Sequence, residues 1–324
     1  MLPGVLAGLA AGALWGLVFV VPAWLPHWPP VDLAVGRMMA YAGVSLGAML
    51  VVPLLRSRTS PLANQVASEI ANEEADAVAP TTSLWPDRRQ ALAAFVLSVL
   101  GFWGYYALLV LSLRDAGPEV PTLIIGTIPL WVMVLGKPGD LRWRALLPGL
   151  LLTAAGLALM TESVQAGGGL IQAPAFWRGV LLAGVAMVFW TAFALLNSAW
   201  LRRNPQVSVT AWANWLGLAT GVGTLGLWAV AGSPLREILA RPDLVTYLVL
   251  CGATGFGAAW LATILWNEAS RRLSASLCGQ LIVSETLFAL LYAFVLEGRW
   301  PMPAQWLAAA LFTLGILASI KAQR

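Results

Sequence analysis

Two charged side chains lie inside long apolar runs of this chain. Glu285 lies near the centre of the run 274–296, and Arg37 lies about one turn into the run 33–54. If these runs cross a membrane, an ionisable group within them is costly and usually faces a cavity. Glu285 then predicts a proton-coupling group or a counter-charge for a cationic substrate, and a neutral carboxyl that clamps two helices is the structural alternative. Arg37 either reaches the membrane interface or contacts an anionic group.

The surroundings of Glu285 are aromatic if its run is helical. Phe288 and Tyr292 then share its face of the helix. A carboxyl group beside aromatic rings suits an amphipathic ligand. Asn197 and Asn214 also lie within apolar runs, and we expect them to hydrogen-bond between helices as structural groups.

Side chains and motifs that would support catalysis or ATP-driven transport are scarce in this sequence. The chain has one histidine, His27, so a multi-histidine metal site is impossible and no Ser-His-Asp set forms around it. Cys251 and Cys278 lie in apolar runs and are expected as small buried hydrophobic residues. No phosphate-binding glycine loop with a following Lys-Ser or Lys-Thr occurs. We therefore expect no catalytic residue, no metal and no cofactor.

The overall composition is that of a membrane protein. Hydrophobic residues make up 59% of the chain, charged residues make up 10%, and the mean hydropathy is +0.78, whereas soluble domains carry roughly 25% charge. The basic residues stand singly or in pairs, so no nucleic-acid partner is expected. A membrane-spanning helix needs about 20 mostly apolar residues. Ten runs qualify: 4–24, 33–54, 90–113, 120–136, 145–161, 178–200, 208–231, 245–268, 274–296 and 303–320.

The distribution of Lys and Arg predicts how the chain crosses the membrane. With the N-terminus in the cytoplasm, thirteen basic residues fall in inside segments and five in outside segments, as the positive-inside rule requires. Both termini are then cytoplasmic, and the expected location is the inner membrane of a bacterium. The polar segment 55–89 is predicted to be a solvated loop with at most a short surface helix.

The second half of the sequence echoes the first. Four pairs of short matches occur in the same order: Leu14-Trp15 with Phe189-Trp190, Gly101-Phe102 with Gly255-Phe256, Arg142-Trp143 with Arg299-Trp300, and Thr153 to Leu157 with Thr313 to Ile316. Repeats of five spans each must insert in opposite orientations, as in many secondary transporters. We therefore predict an all-α polytopic membrane protein of ten helices in two inverted repeats, 1–161 and 178–324.

These motifs resemble a known family. The stretch Ser270 to Leu277, continuing through Glu285 to Gly298-Arg299-Trp300-Pro301, is similar to the end of an EamA-type repeat. Leu111 to Leu113 with Pro129-Leu130, Ala13 to Gly16, and Gly36-Arg37 resemble other parts of that repeat. The resemblance is to the EamA-type transporters of the drug/metabolite transporter superfamily, and it covers nearly all of the chain except 55–89.

The resemblance implies a cavity lined by the first, third, fourth, sixth, eighth and ninth spans. The residues that it places there are Trp15, Trp190, Tyr105, Tyr106, Thr127, Gln280 and Ser284, beside Glu285, Tyr292 and Arg37. The chain departs from the family pattern twice. Gly139-Asp140 and Glu297-Gly298 replace the usual Gly-Glu, and Glu285 stands where the second repeat often has proline.

The expected function is secondary transport, with export of small metabolites by alternating access. Amino acids or amphipathic, cationic compounds are the expected substrates, and protons acting through Glu285 are a candidate driving ion. The expected partners are a small-molecule substrate and the lipid bilayer, and the protein is expected to be a monomer or a weak dimer. A membrane-embedded lipid-modifying enzyme and a non-transporting receptor or scaffold are the alternative functions.

Overall fold

The structure is a computed structural model that describes residues 1–19, 21–58, 85–116, 119–162, 175–297 and 303–323. Within these ranges the chain forms helices and turns and contains no strand. The first-half helices are α1 (Leu2–Gly16), α2 (Val21–Trp24), α3 (Pro30–Arg58), α4 (Arg88–Gly101), α5 (Trp103–Ala116), α6 (Glu119–Gly126), α7 (Ile128–Leu135) and α8 (Trp143–Glu162). The second-half helices are α9 (Phe176–Arg203), α10 (Val209–Ala231), α11 (Leu235–Leu239), α12 (Leu244–Thr254), α13 (Ala262–Arg272), α14 (Ala275–Glu297) and α15 (Pro303–Ala322).

The outside of the bundle is apolar and its inside holds polar groups. Val230 and Val245 expose 88% and 74% of their surface, whereas Asn197 and Gln280 expose none. Six helices of the described chain are long and apolar enough to cross a membrane, and three shorter apolar helices accompany them. The all-helical polytopic fold is therefore confirmed. The count of ten spans, the division into two inverted repeats and the cytoplasmic position of the termini stay predictions.

Most of the predicted loop 55–89 lies outside the described residues. Its first four residues belong to α3, which extends to Arg58 rather than ending near residue 54. At the other end of this segment, Asp87 accepts a hydrogen bond from the Gln90 backbone N–H, and the Gln90 side chain accepts one from the Asp87 backbone N–H. This capping box fixes where α4 begins.

Three helices are interrupted near the middle of the bundle. Phe102, with φ −128° and ψ −102°, separates α4 from α5, and Thr127 separates α6 from α7 just before Pro129. In the second half, a π-helix of seven residues, Gly255–Leu261, joins α12 to α13. Such interruptions free backbone groups and often occur at functional sites.

Both termini lie at one end of the bundle, where Met1, Ala322 and Gln323 border the same pocket. We call this the termini end. From this end to its last residue, α1 packs closely on α14 because glycines recur every fourth residue along α1. A Cβ atom on Gly8 would lie 2.7 Å from Leu281 Cδ1, and one on Gly16 would lie 2.9 Å from the Ala289 backbone nitrogen. These glycines therefore act in close helix packing.

A second glycine contact joins α7 to α14 at the termini end. The Ser276 backbone N–H donates a 3.1 Å hydrogen bond to the Gly136 carbonyl. A Cβ on Gly279 would lie 2.9 Å from both the Met133 backbone nitrogen and Val132 Cβ. The absence of a side chain at Gly279 therefore lets the backbones of two helices meet.

Candidate functional site

The burial of α14 changes at Glu285. Every residue from 275 to 284 is buried, whereas every residue from 285 to 290 is partly exposed. The first segment of the helix is therefore enclosed on all sides, whereas each residue of the second keeps some accessible surface. Glu285 is the first residue on the open side of this boundary.

Three tryptophans lie together near this boundary. The Trp15 ring lies 5.2 Å from the Trp266 ring and 6.4 Å from the Trp190 ring, measured between centroids, and Trp190 lies 6.4 Å from Trp266. Trp266 is 1% exposed, whereas Trp15 and Trp190 are partly exposed. The three indoles, one each from α1, α9 and α13, thus form an aromatic cluster in which Trp266 is the buried member and Trp15 and Trp190 are the accessible ones. Trp15 and Trp190 are the two repeat-related tryptophans that the sequence predicts at the cavity.

Arg37 faces the same region from α3. Its guanidinium lies within electrostatic range of the Glu285 carboxylate and of the Tyr105 and Tyr106 phenols. Tyr106 donates a 3.3 Å hydrogen bond to the Pro30 carbonyl. Arg37, Glu285, Tyr105 and Tyr106 are all partly exposed. Arg37 thus lies within electrostatic range of three other side chains predicted from the sequence, one of them oppositely charged.

The position of Arg37 follows from close packing of α3 against α12 and the π-helix. A Cβ on Gly255 would lie 2.9 Å from the Arg37 carbonyl oxygen, so the π-helix backbone meets α3 at this residue. Nearer the end of α3 that is remote from the termini, the Tyr247 hydroxyl donates to the Asp32 carbonyl at 2.9 Å and its ring stacks 3.9 Å from Trp28. These contacts hold the arginine at a fixed place.

Gln280 and Ser284 lie in the enclosed segment of α14 instead of beside the open space. Gln280 is fully buried and donates a 2.8 Å hydrogen bond to Thr153 Oγ1, and Ser319 donates a 3.2 Å hydrogen bond to Gln280 Oε1. The Ser284 hydroxyl, 1% exposed, donates to the Leu281 carbonyl. In this conformation Gln280 therefore links α14 to α8 and α15, whereas the Ser284 hydroxyl bonds within α14.

Two further predicted residues make local contacts at the edge of the region. The Thr127 hydroxyl donates to the Ile124 carbonyl at 2.7 Å and lies 3.2 Å from Met187 Sδ. Tyr292 donates a 3.1 Å hydrogen bond to the Ala13 carbonyl of α1. Thr127 therefore joins the interrupted α6–α7 pair to α9, and Tyr292 ties α14 to α1 beyond Glu285.

The asparagines form hydrogen bonds between helices, as expected. Asn197 donates to Asn267 Oδ1 at 3.0 Å and accepts a 2.7 Å hydrogen bond from the Trp212 indole. Asn214 accepts a 2.7 Å hydrogen bond from the Trp260 indole of the π-helix. Trp266 was missed by the sequence reasoning, because nothing local distinguishes it among the 17 tryptophans of the chain.

Among the described residues, no group of three or more His, Cys, Asp or Glu side chains could hold a metal ion. Both cysteines are free and buried. What the region offers is an arginine, a carboxylate, phenols and indoles around open space. This set suits reversible binding of a solute with charged and apolar parts.

Comparisons with known proteins agree with this description. A profile of the EamA-like transporter family matches residues 177–320. The chain is 30% identical to the inner membrane protein YtfF of Escherichia coli (strain K12), over all of this chain and 96% of that protein. A solved crystal structure has the same fold, with a TM-score of 0.72 at 20% identity over 99% of this chain and 97% of the other. The chain therefore belongs to the EamA-type transporters of the drug/metabolite transporter superfamily and is a membrane transporter.

Proposed function

We propose that this protein is a secondary transporter that exports small metabolites by alternating access, with its substrate bound between Glu285, Arg37 and the Trp15–Trp190 surface. The observation that carries the proposal is the change along α14, in which every residue from 275 to 284 is buried and every residue from 285 to 290 is partly exposed. A carrier needs a central site that is sealed on one side and reachable from the other.

We assign the proposed seal on the termini side to two helix contacts. Gly8 brings α1 against Leu281, and Gly279 brings α14 against α7. With the termini in the cytoplasm, as the basic residues favour, these contacts would form the cytoplasmic gate of the proposed carrier. Alternating access then requires these two glycine contacts to separate while the opposite end closes.

Glu285 is proposed to couple transport to protons. It lies in the bundle interior, at the boundary between the buried and the partly exposed segments of α14. Protonation there would convert a charged carboxylate into a neutral carboxylic acid. Binding a proton and binding a solute can then compete for the same carboxylate.

Counterflow in proteoliposomes tests this proposal. Vesicles preloaded with unlabelled amino acids or quaternary amines should accumulate the same labelled solute, and a pH gradient should drive uptake. We expect Glu285→Gln to retain counterflow but lose the response to the pH gradient. Glu268→Gln is the matched control, because Glu268 pairs with Arg272 one helical turn away near the termini end. An unchanged pH response in Glu285→Gln would rule out coupling through this residue.

The alternative functions predict other outcomes. A lipid-modifying enzyme would turn over added lipid without moving solute, and a receptor or scaffold would do neither. The described residues favour the carrier, because the groups around the open space are suited to binding and the tryptophan cluster holds no nucleophile–base pair. Absence of counterflow for every solute class, with the protein folded in the vesicles, would remove the transporter proposal.

A further inference from the structure

A pocket at the termini end of the bundle is lined by basic side chains. Its volume is about 620 Å³, and its walls come from the last residues of α7, α9 and α13 and the first residue of α14. Arg272 and Ser274 also line the neighbouring pocket that both termini border. No acidic side chain of the described chain lines the first pocket, which we call the basic pocket. The basic side chains that line it are Lys137, Arg202, Arg271 and Arg272.

Three of these four cations lack a carboxylate partner. Arg272 forms an ion pair with Glu268, one helical turn earlier on α13. Within the described residues, no Asp or Glu oxygen lies within 4.0 Å of a charged nitrogen of Lys137, Arg202 or Arg271. Three positive charges therefore border one pocket without an opposing charge from the chain. Like charges held close together repel each other, and an anion in the pocket would offset this repulsion.

Neutral acceptors hold two of these cations in place. The Lys137 ammonium donates to the Leu141 carbonyl at 2.6 Å and lies 5.1 Å from the centroid of the Trp143 ring. The Arg202 guanidinium donates to the Ser198 hydroxyl oxygen on the preceding turn of α9. A guanidinium has five N–H donors in a planar fork, which matches the oxygens of a phosphate. Arg202 can therefore bind a phosphate group while it keeps its contact with Ser198.

One wall of the basic pocket is apolar. Leu135 and Leu195 line it beside the cations, and Leu135 is 61% exposed. Trp143, which contacts Lys137, is 53% exposed, and tryptophan is enriched where the hydrocarbon of a membrane meets the headgroups. Unpaired cations and an exposed apolar wall thus meet where a phospholipid has its phosphate and the beginning of its acyl chains. A small soluble anion would use the cations but not the apolar wall.

We propose that the basic pocket binds the headgroup of an anionic phospholipid. Its phosphate accepts hydrogen bonds from Arg202 and Lys137, and its acyl chains pack on Leu135 and Leu195. Basic pockets between spanning helices on the cytoplasmic side of a membrane suit such headgroups, and the basic residues favour a cytoplasmic termini end. The bound lipid would join α7, α9, α13 and α14. The site is separate from Glu285 and does not depend on which solute the protein moves.

The test compares two phospholipids that differ in the charge of their headgroup. Phosphatidylglycerol is anionic, whereas phosphatidylcholine with the same palmitoyl and oleoyl chains carries a phosphate but no net charge. Native mass spectrometry of the purified, detergent-solubilised protein measures the binding of each. We expect the wild-type protein to bind phosphatidylglycerol at least about tenfold more tightly, since several basic groups contribute. Phosphatidylglycerol should also raise the melting temperature more than phosphatidylcholine does, because a ligand of the folded state stabilises it.

Variants that remove one charge locate the binding. Arg202→Gln and Lys137→Gln should each weaken the binding of phosphatidylglycerol about fivefold, whereas Arg202→Lys should retain most of it because the charge is kept. Arg88→Gln and Arg89→Gln are matched controls, because both residues are exposed on α4 and line neither pocket. They should keep the preference for phosphatidylglycerol. Gel filtration identifies any variant that fails to fold, and the wild-type comparison of the two lipids stands without the variants.

A water-soluble competitor distinguishes a lipid headgroup from a free phosphate. Glycerophosphoglycerol has the headgroup of phosphatidylglycerol without the acyl chains, and inorganic phosphate has neither. We expect that neither compound displaces the lipid when added in large molar excess. Displacement by either one would assign the pocket to a soluble phosphate and overturn the lipid proposal.

Three other results would also overturn the proposal. The first is equal binding of the two phospholipids by the wild-type protein. The second is unchanged binding of phosphatidylglycerol by folded Arg202→Gln and Lys137→Gln. The third is an equal loss of binding in Arg88→Gln and Arg202→Gln, because it would indicate a diffuse attraction of anionic lipid to all basic residues instead of binding in one pocket.

Discussion

The two segments of α14 on either side of Glu285 differ in packing although they belong to one helix. The segment before it carries the small residues Ala275, Ser276, Gly279 and Ser284, and it is enclosed by its neighbours. The segment after it is richer in bulky side chains such as Phe288, and it borders open space. Small residues let helices approach until no space remains, whereas bulky ones hold neighbours further apart. The change in burial along α14 thus coincides with a change in side-chain size along the helix.

The largest expected effect is at the glycine that seals the enclosed segment. Gly279→Leu should abolish counterflow and lower the melting temperature, because its Cβ would already lie 2.9 Å from the α7 backbone and overpacking costs about 1–3 kcal/mol. Gly252→Leu is the matched control, since a Cβ there meets no atom within 4 Å. Normal transport by Gly279→Leu would show that the α7–α14 contact is not a required seal.

A smaller effect on stability is expected inside the same segment at Gln280. Gln280→Leu should destabilise the protein by about 1 kcal/mol, because Thr153 and Ser319 lose their shared partner. The apparent KM of transport should not change, since Gln280 is fully buried. Adding Thr153→Val and Ser319→Ala should restore part of the stability in thermal melting. A large rise in KM with an unchanged melting temperature would instead place Gln280 at the binding site.

The opposite pattern is expected at Tyr105, beside the open segment. Tyr105→Phe should raise the apparent KM about fivefold, the value of one modest hydrogen bond, and leave the melting temperature nearly unchanged. The reason is that its hydroxyl has no partner among the described residues. Tyr106→Phe is the comparison, because it removes the hydrogen bond to the Pro30 carbonyl and should act on stability instead. Equal effects of the two substitutions would contradict the distinction between them.

Sequence alone was sufficient for the class of protein, whereas the roles of the predicted site residues stay predictions. Composition required a bilayer, and the cost of a charge within an apolar run singled out Glu285 and Arg37. The resemblance assigns Gln280 to the cavity because it assigns whole helices, not faces of helices. At 100° per residue, Gln280 points about 140° away from Glu285, toward Thr153 and Ser319.

The sequence could not predict which helices pack against each other, for a different reason. The glycines of α1 indicated close packing, but which helix fills the gap depends on contacts between residues far apart in the chain, such as Gly8 with Leu281. The helix interruptions at Phe102 and at Gly255–Leu261 fall on the two matched Gly-Phe motifs, Gly101-Phe102 and Gly255-Phe256. The Gly-Phe match itself does not predict a π-helix. Trp266 completes the tryptophan cluster through tertiary packing alone.

The most direct test of one-sided access compares two cysteines on one face of α14. Cys278 lies in the enclosed segment and is 2% exposed, and Ala289→Cys would lie in the open segment about three turns further along. With Cys251 replaced by alanine, a membrane-impermeant maleimide applied to the side opposite the termini should label position 289 rapidly and leave Cys278 unlabelled. A transported solute should slow the labelling at 289. Equal labelling of both positions, or labelling of neither, would contradict a carrier that is open on one side of Glu285 and sealed on the other.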